Sequence, residues 1–243
     1  MSQQIVLFHS ALGLRPAVRD FAARLRAAGH VVHTPDVFDG EVFDSLEAGA
    51  QKRDALGIPE LMRRAELAVA SLPTELVYAG FSMGAATAEF LAATRAGAKG
   101  AVLMSGALDP AKAGINTWPR EVSVQVHYAQ NDPSIDVKDV SALATAAKAS
   151  GAAITVYTYR GSGHLFMDKE FGGYNAEASW LMTERLLEFL ARIDLAERET
   201  VETLAPDREV ARSPHLDTPV NPRERIQPED RPHTPWDDDA EAR

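Results

Sequence analysis

Leu76-Val77-Tyr78-Ala79-Gly80-Phe81-Ser82-Met83-Gly84-Ala85-Ala86 is the stretch on which the reading of this chain turns. It opens as an apolar run of strand character and closes as a helical stretch of small residues. Between the two lies Gly-x-Ser-x-Gly, the pattern of a nucleophile elbow. A serine forced onto a tight strand-to-helix turn projects its Oγ clear of the sheet, where a base and a carbonyl carbon can both reach it. Such a turn strains the serine and crowds its neighbours, so the positions two residues to either side cannot carry a Cβ. The new helix also aims free N–H groups and its positive dipole end at the place where an oxyanion would form. A glycine-rich structural turn is the plainer account of the same five residues. The flanking strand and helix are what favour the elbow.

Outward from this stretch, apolar runs and amphipathic stretches alternate. Ile5-Val6-Leu7-Phe8, Val31-Val32-His33-Thr34, Leu76 to Phe81, Gly100 to Met104, Val122 to Tyr128 and Ile154 to Tyr159 read as six strands. The continuously apolar ones carry the signature of strands buried on both faces. Helices are expected from Pro16 to about Gly29, from Pro59 to Leu72, from Ala85 to Thr94, from Asp136 to Ser150 and from Ala176 to Ile193. The last of these carries Trp180, Leu181, Leu186, Leu187, Phe189 and Leu190 on its expected apolar side. Residues 37–57 show no regular pattern. Six strands separated by helices imply a parallel sheet, right-handed crossovers and helices on both faces.

Composition narrows the function classes. The 243 residues are 45% hydrophobic, enough for a sizeable core, and the formal net charge of −10 argues against a nucleic-acid or anionic-membrane surface. With no cysteine, disulfides, thiolate metal sites and cysteine nucleophiles are excluded. The N-terminus lacks a basic segment and its apolar run is only four residues long, so neither a secretory signal nor a membrane span is expected and the cytoplasm is the default location. No metal-ligand spacing or phosphate-cradling loop is visible, and no cofactor is expected. Past Leu195 the composition changes, with seven prolines between Pro206 and Pro235 among many charged residues. Residues 1–196 are expected to form one domain and residues 197–243 an acidic, proline-rich disordered tail, because such a segment cannot bury enough surface to offset its ordering entropy. Trp236 is its one candidate anchor.

In a parallel sheet of this kind, ligands gather at the carboxyl ends of the strands. His9, Ser10, Asp36, Ser82, Ser105, Asp109, Asp132 and His164 all fall there. A serine hydrolase of this topology needs its residues in the chain order serine, acid, histidine. Ser82, Asp132 and His164 satisfy it, with Asp109 or Asp136 in reserve as the acid. His9 reads as a polar residue of the mouth.

The chain resembles the dienelactone hydrolase family of α/β-hydrolases. The resemblance rests on Phe8-His9-Ser10-Ala11-Leu12-Gly13, Thr34-Pro35-Asp36-Val37-Phe38, Gly80-Phe81-Ser82-Met83-Gly84, the Asp132 loop and Gly163-His164-Leu165-Phe166, and covers residues 4–192. It implies Ser82 as nucleophile, His164 as base and Asp132 as the acid that orients it. The backbone N–H groups of Ala11 and Met83 would form the oxyanion hole. Three departures stand out. Members that hydrolyse dienelactone itself have a cysteine where this chain has Ser82, a glutamate where it has Ser10, and an arginine shortly after the histidine, where it has Asp168. A dienelactone substrate is therefore not expected.

The reading that results is a cofactor-free carboxylic ester hydrolase of small esters or lactones, a monomer or weak homodimer. The same triad would also suit a thioesterase or an acyl-peptide-type hydrolase, and the elbow could survive as a mere turn in a catalytically silent binding protein. The interval from Ser105 to Glu121 is too short for a cap domain, so a shallow cleft is expected. Leu12, Phe38, Trp118, Leu165 and Phe166 are its expected apolar walls.

Overall fold

The structure, a computed structural model, describes residues 2–161 and 163–204. The described residues form six strands and six helices: β1 (Gln4–Phe8), α1 (Pro16–Ala27), β2 (Val31–His33), α2 (Leu46–Leu56), α3 (Ile58–Val69), β3 (Val77–Phe81), α4 (Met83–Thr94), β4 (Gly100–Met104), β5 (Ser123–Ala129), α5 (Val137–Ser150), β6 (Ile154–Tyr159) and α6 (Ala176–Leu204). The strands form one sheet in the order β2-β1-β3-β4-β5-β6, and every pairing is parallel. This is the α/β-hydrolase architecture expected from the sequence. No helix interrupts the connection from β4 to β5, so no cap domain is built there.

The sheet is covered on both faces because its strands are apolar on both. Val6, Phe8, Tyr78, Ala101 and Leu103 pack with Leu61, Ala65, Val69, Ala88, Leu91 and Leu143 of α3, α4 and α5. Their chain neighbours Ile5, Leu7, Val77, Ala79, Val102 and Met104 turn to the other face, against Phe21 and Leu25 of α1 and Met182, Leu186 and Leu190 of α6. The pleat sends successive side chains to opposite faces, so a strand roofed twice must read as a continuous apolar run. β5 alternates for a different reason. Val124, Val126 and Tyr128 join the first layer, while Gln125 and His127 form a buried polar layer on the second. There His127 Nδ1 lies 2.8 Å from the Tyr159 hydroxyl and Nε2 3.0 Å from Gln125 Oε1. Burial and the nearby Arg185 push the His127 imidazole down to about 3, so it is neutral.

Three expectations about helices are corrected. Residues 46–56, read as irregular, form α2. Ser45 caps it by accepting the Ala48 N–H at 3.2 Å, Glu47 sits in its first turn and Gly57 closes it at φ 77°. Those end signals were present in the sequence; the apolar stripe was not, since Gly49 is its one buried residue. Trp180 is 62% exposed, on the side of α6 away from Met182, Leu186 and Leu190. The helix itself continues past Ile193, where its apolar pattern ends, to Leu204. The tail proposed from residue 197 lies, from residue 205 onward, outside the described residues, and Trp236 with it.

The glycines of the elbow are there for space. A Cβ on Gly80 would stand 2.0 Å from the Gly84 carbonyl oxygen, and one on Gly84 would stand 2.4 Å from the His9 and 2.5 Å from the Phe8 carbonyl oxygens. These two bare positions let α4 descend onto the carboxyl ends of β3 and β1 together.

Candidate active site

Ser82 occupies the turn between β3 and α4 with φ 53° and ψ −112°, a conformation that costs a non-glycine residue about 1–3 kcal/mol. The strain persists because Ser82 N–H donates to the Met104 carbonyl at 2.7 Å and its own carbonyl accepts from Ala85 N–H at 2.8 Å. Its Oγ lies 2.8 Å from His164 Nε2, and His164 Nδ1 lies 2.7 Å from Asp132 Oδ2. The fixed carboxylate assigns the tautomer: Nδ1–H donates to Asp132, leaving Nε2 to accept the Ser82 proton.

Three strand ends supply the chain. Ser82 follows β3, Asp132 follows β5 and His164 follows β6. The Asp132 side chain is wholly buried. Its Oδ1 accepts the Ser134 N–H at 2.9 Å, and Asn131 N–H donates to the Gly161 carbonyl at 3.0 Å, tying the acid loop to the start of the histidine loop. Gly163 and Gly173 pack backbone to backbone, since a Cβ on Gly163 would stand 2.2 Å from the Gly173 oxygen. The two reserve acids are employed elsewhere. Asp109 accepts from Ala111 N–H and Asp136 caps α5.

Ala11 and Met83 lie on the loop after β1 and at the start of α4. Neither N–H donates to any other described residue, as an oxyanion hole requires. Ser10 Oγ accepts the Leu12 N–H at 3.2 Å, Asp36 accepts from Phe38 and Gly40 N–H, and the buried Ser105 donates its N–H to His127. None of these joins Ser82. His9 is not at the mouth: it is wholly buried.

The expected pocket walls are corrected more sharply. Leu12, Phe38, Trp118, Leu165 and Phe166 are all at most 2% exposed, so they have no surface left to offer a substrate. Leu12, Leu165 and Phe166 pack with α1 and α6, Phe38 and Trp118 in the opposite layer, where Trp118 Nε1–H donates to the Val122 carbonyl at 2.7 Å.

Two features escaped the sequence. Glu89 of α4 is buried and accepts the Leu108 N–H at 2.9 Å, holding the loop after β4. Burial pushes its carboxyl up to about 8, so it is protonated at neutral pH. Asp168 stands where the resemblance has a substrate-binding arginine, and it is buried against Arg15 of the loop after β1, Nε to Oδ2 at 2.9 Å. Arg15 also donates to the Phe43 carbonyl and meets the exposed Asp44 and Glu170. The pair joins the loop bearing Ala11 to the loop bearing His164. Arg15→Met should destabilise the fold by about 3–5 kcal/mol, because it strands a buried carboxylate. Urea unfolding of the variant checks this, and Arg15→Met combined with Asp168→Leu should recover most of the loss.

Among the described residues no three His, Asp or Glu side chains are placed to hold a metal ion, and no helix is long and apolar enough to cross a membrane. The dienelactone hydrolase family model matches residues 2–194. No curated protein matches the chain. Solved structures similar to it include a dienelactone hydrolase-like promiscuous phosphotriesterase from metagenomic libraries, 23% identical over 79% of this chain and 86% of that one, with a TM-score of 0.67. An esterase from the planctomycete Thermogutta terrifontis with propionate bound is 16% identical over 79% of this chain and 84% of that one, with a TM-score of 0.57. Esterase PE8 is 18% identical over 77% and 92%, with a TM-score of 0.53. At these identities the structures speak for the fold.

Proposed function

This chain belongs to the dienelactone hydrolase family, and we propose that within it the protein is a serine hydrolase of small carboxylic esters or lactones, working through Ser82, His164 and Asp132. The observation that carries the reading is the unbroken hydrogen-bond chain from a strained Ser82 through His164 to a buried Asp132.

Ser82 Oγ attacks the ester carbonyl carbon while His164 Nε2 takes its proton, and Asp132 stabilises the imidazolium and keeps Nδ1 protonated. The carbonyl oxygen becomes an oxyanion facing the N–H groups of Met83 and Ala11, each worth about 2.7–4 kcal/mol in the transition state. Collapse of the tetrahedral intermediate breaks the C–O bond to the leaving alcohol, which receives the proton from His164. Water then attacks the acyl-enzyme by the same route in reverse. A fluorophosphonate probe should label the wild type at Ser82, and absence of labelling in folded protein would overturn the reading.

Substrate size follows from the loop between β4 and β5. It carries no helix and buries Ile115 and Trp118 in the core. A long acyl chain finds little to bury it, and each methylene left in water forgoes about 0.8 kcal/mol. Asp168, committed to Arg15, offers nothing to a substrate carboxylate. For acetate, butyrate, octanoate and palmitate esters of one alcohol, kcat/KM should peak at the short chains. A specificity constant that climbs through to palmitate would require an apolar tunnel and overturn the size assignment.

A further inference from the structure

The position of His9 has a bearing on Ala11. His9 is the first residue after β1, wholly buried, with its ring edge-on to Phe38 at 5.1 Å between centroids. Val37 N–H donates to its Nε2 at 3.1 Å. A backbone amide can only donate, so Nε2 is the acceptor nitrogen and the proton sits on Nδ1. Asp36 Oδ1 lies farther off, 3.5 Å from Nε2. Nδ1–H then donates to the carbonyl oxygen of Ser10 at 2.7 Å. The same oxygen accepts the Gly13 N–H at 3.1 Å.

Ser10 O belongs to the peptide unit whose other end is the Ala11 N–H. That unit is planar and trans, so its C=O and N–H point in opposite directions, and two donors on the oxygen fix the heading of the N–H. The rest of the loop is pinned from behind. Ser10 Oγ holds the Leu12 N–H, and α2 presses the bare backbone of Gly49 so close that a Cβ there would stand 2.0 Å from the Ala11 oxygen. On the other side the His9 and Phe8 carbonyls rest on Gly84 of the elbow.

We propose that His9 is a positioning residue of the oxyanion hole: its Nδ1–H holds the Ser10 carbonyl so that the Ala11 N–H faces the reacting carbonyl oxygen. This rests on the serine-hydrolase reading given above. His9 touches no substrate and moves no proton. It spends its hydrogen-bonding capacity, one donor and one acceptor, on the backbones of two strand-end loops, so that the hole is already aimed when the substrate arrives.

The test compares His9→Phe, which keeps a buried ring but no hydrogen bond, with His9→Asn, whose amide N–H can stand in for Nδ1, and His9→Gln, whose amide reaches the Nε2 side instead. Each is assayed for kcat and KM on p-nitrophenyl acetate and for inhibition by an aryl trifluoromethyl ketone, whose hemiketal with Ser82 puts an oxyanion in the hole. His9→Phe should lower kcat about 100-fold, the low end of the cost of losing one oxyanion donor outright. It should weaken the ketone by a similar factor and move KM by less than about twofold, the pattern of an interaction made only in the transition state. His9→Asn should recover most of the loss and His9→Gln little, a contrast that survives if the Phe variant does not fold. A His9→Phe kcat within about threefold of wild type overturns the role of His9 alone, and so does a loss with no change in ketone affinity or equal behaviour of the Asn and Gln variants. Wild-type protein that neither turns over esters nor reacts with a fluorophosphonate brings down the hydrolase reading and this proposal with it.

Discussion

Ser82→Ala is expected to lower kcat by about a million-fold, the scale on which a triad nucleophile acts, while leaving the fold in place. The Ser82 side chain makes one hydrogen bond among the described residues, to His164 Nε2, and its backbone bonds to Met104 and Ala85 do not depend on it. Alanine inherits the positive φ and its strain, so the thermal midpoint should move by no more than a degree or two. His164 and Asp132 would remain paired with nothing to deprotonate. Steady-state kinetics on p-nitrophenyl acetate, read beside a melting curve, measure both halves. A variant retaining even one per cent of wild-type kcat would show that the nucleophile is another group.

Asp132→Asn should cost about ten-thousand-fold in kcat, as loss of the orienting carboxylate does in a triad whose geometry survives. The direction of the amide is set by its neighbour. Ser134 N–H points at Oδ1 and needs an acceptor, so asparagine keeps its oxygen there and presents its NH₂ where Oδ2 faced His164. His164 Nδ1 must then accept, which moves the imidazole proton to Nε2 and aims a donor at Ser82 Oγ. The base becomes unable to take the proton it is placed to take. Asp132→Ala should lose comparable activity and more stability, since the Ser134 N–H loses its partner too. Near-normal turnover by Asp132→Asn would assign the orienting role elsewhere.

How far the sequence could be read follows from what each feature depends on. β1, β3 and β4 were legible because burial on two faces demands an unbroken apolar run, and Ile5–Phe8 and Gly100–Met104 have one. The hydrogen-bonded set Ser82, Asp132 and His164 was legible because loops at the carboxyl ends of parallel strands gather at one edge of the sheet. α2 left no apolar stripe, because its role is to bring the bare Gly49 against Ala11, and a glycine records no hydrophobicity. Leu12, Phe38, Trp118, Leu165 and Phe166 show the opposite error. An apolar side chain on a strand-end loop looks like a pocket wall from sequence, but the loops here fold down and spend those side chains on the core. His9 was misread for the same reason. Nothing local says that a polar side chain beside the mouth will turn inward to hold a backbone.

The nucleophile and its base are carried by strands of unequal standing in the sheet. β3 lies between β1 and β4, whereas β6 closes the row, with β5 as its one neighbour among the described residues, and Thr155, Val156 and Thr158 on it are exposed. Local opening is cheapest where few bonds and little buried surface resist it. As temperature rises, the edge bearing His164 is expected to loosen before the centre bearing Ser82. The first loss of activity on heating is therefore expected at this border strand, ahead of the elbow at the centre of the sheet.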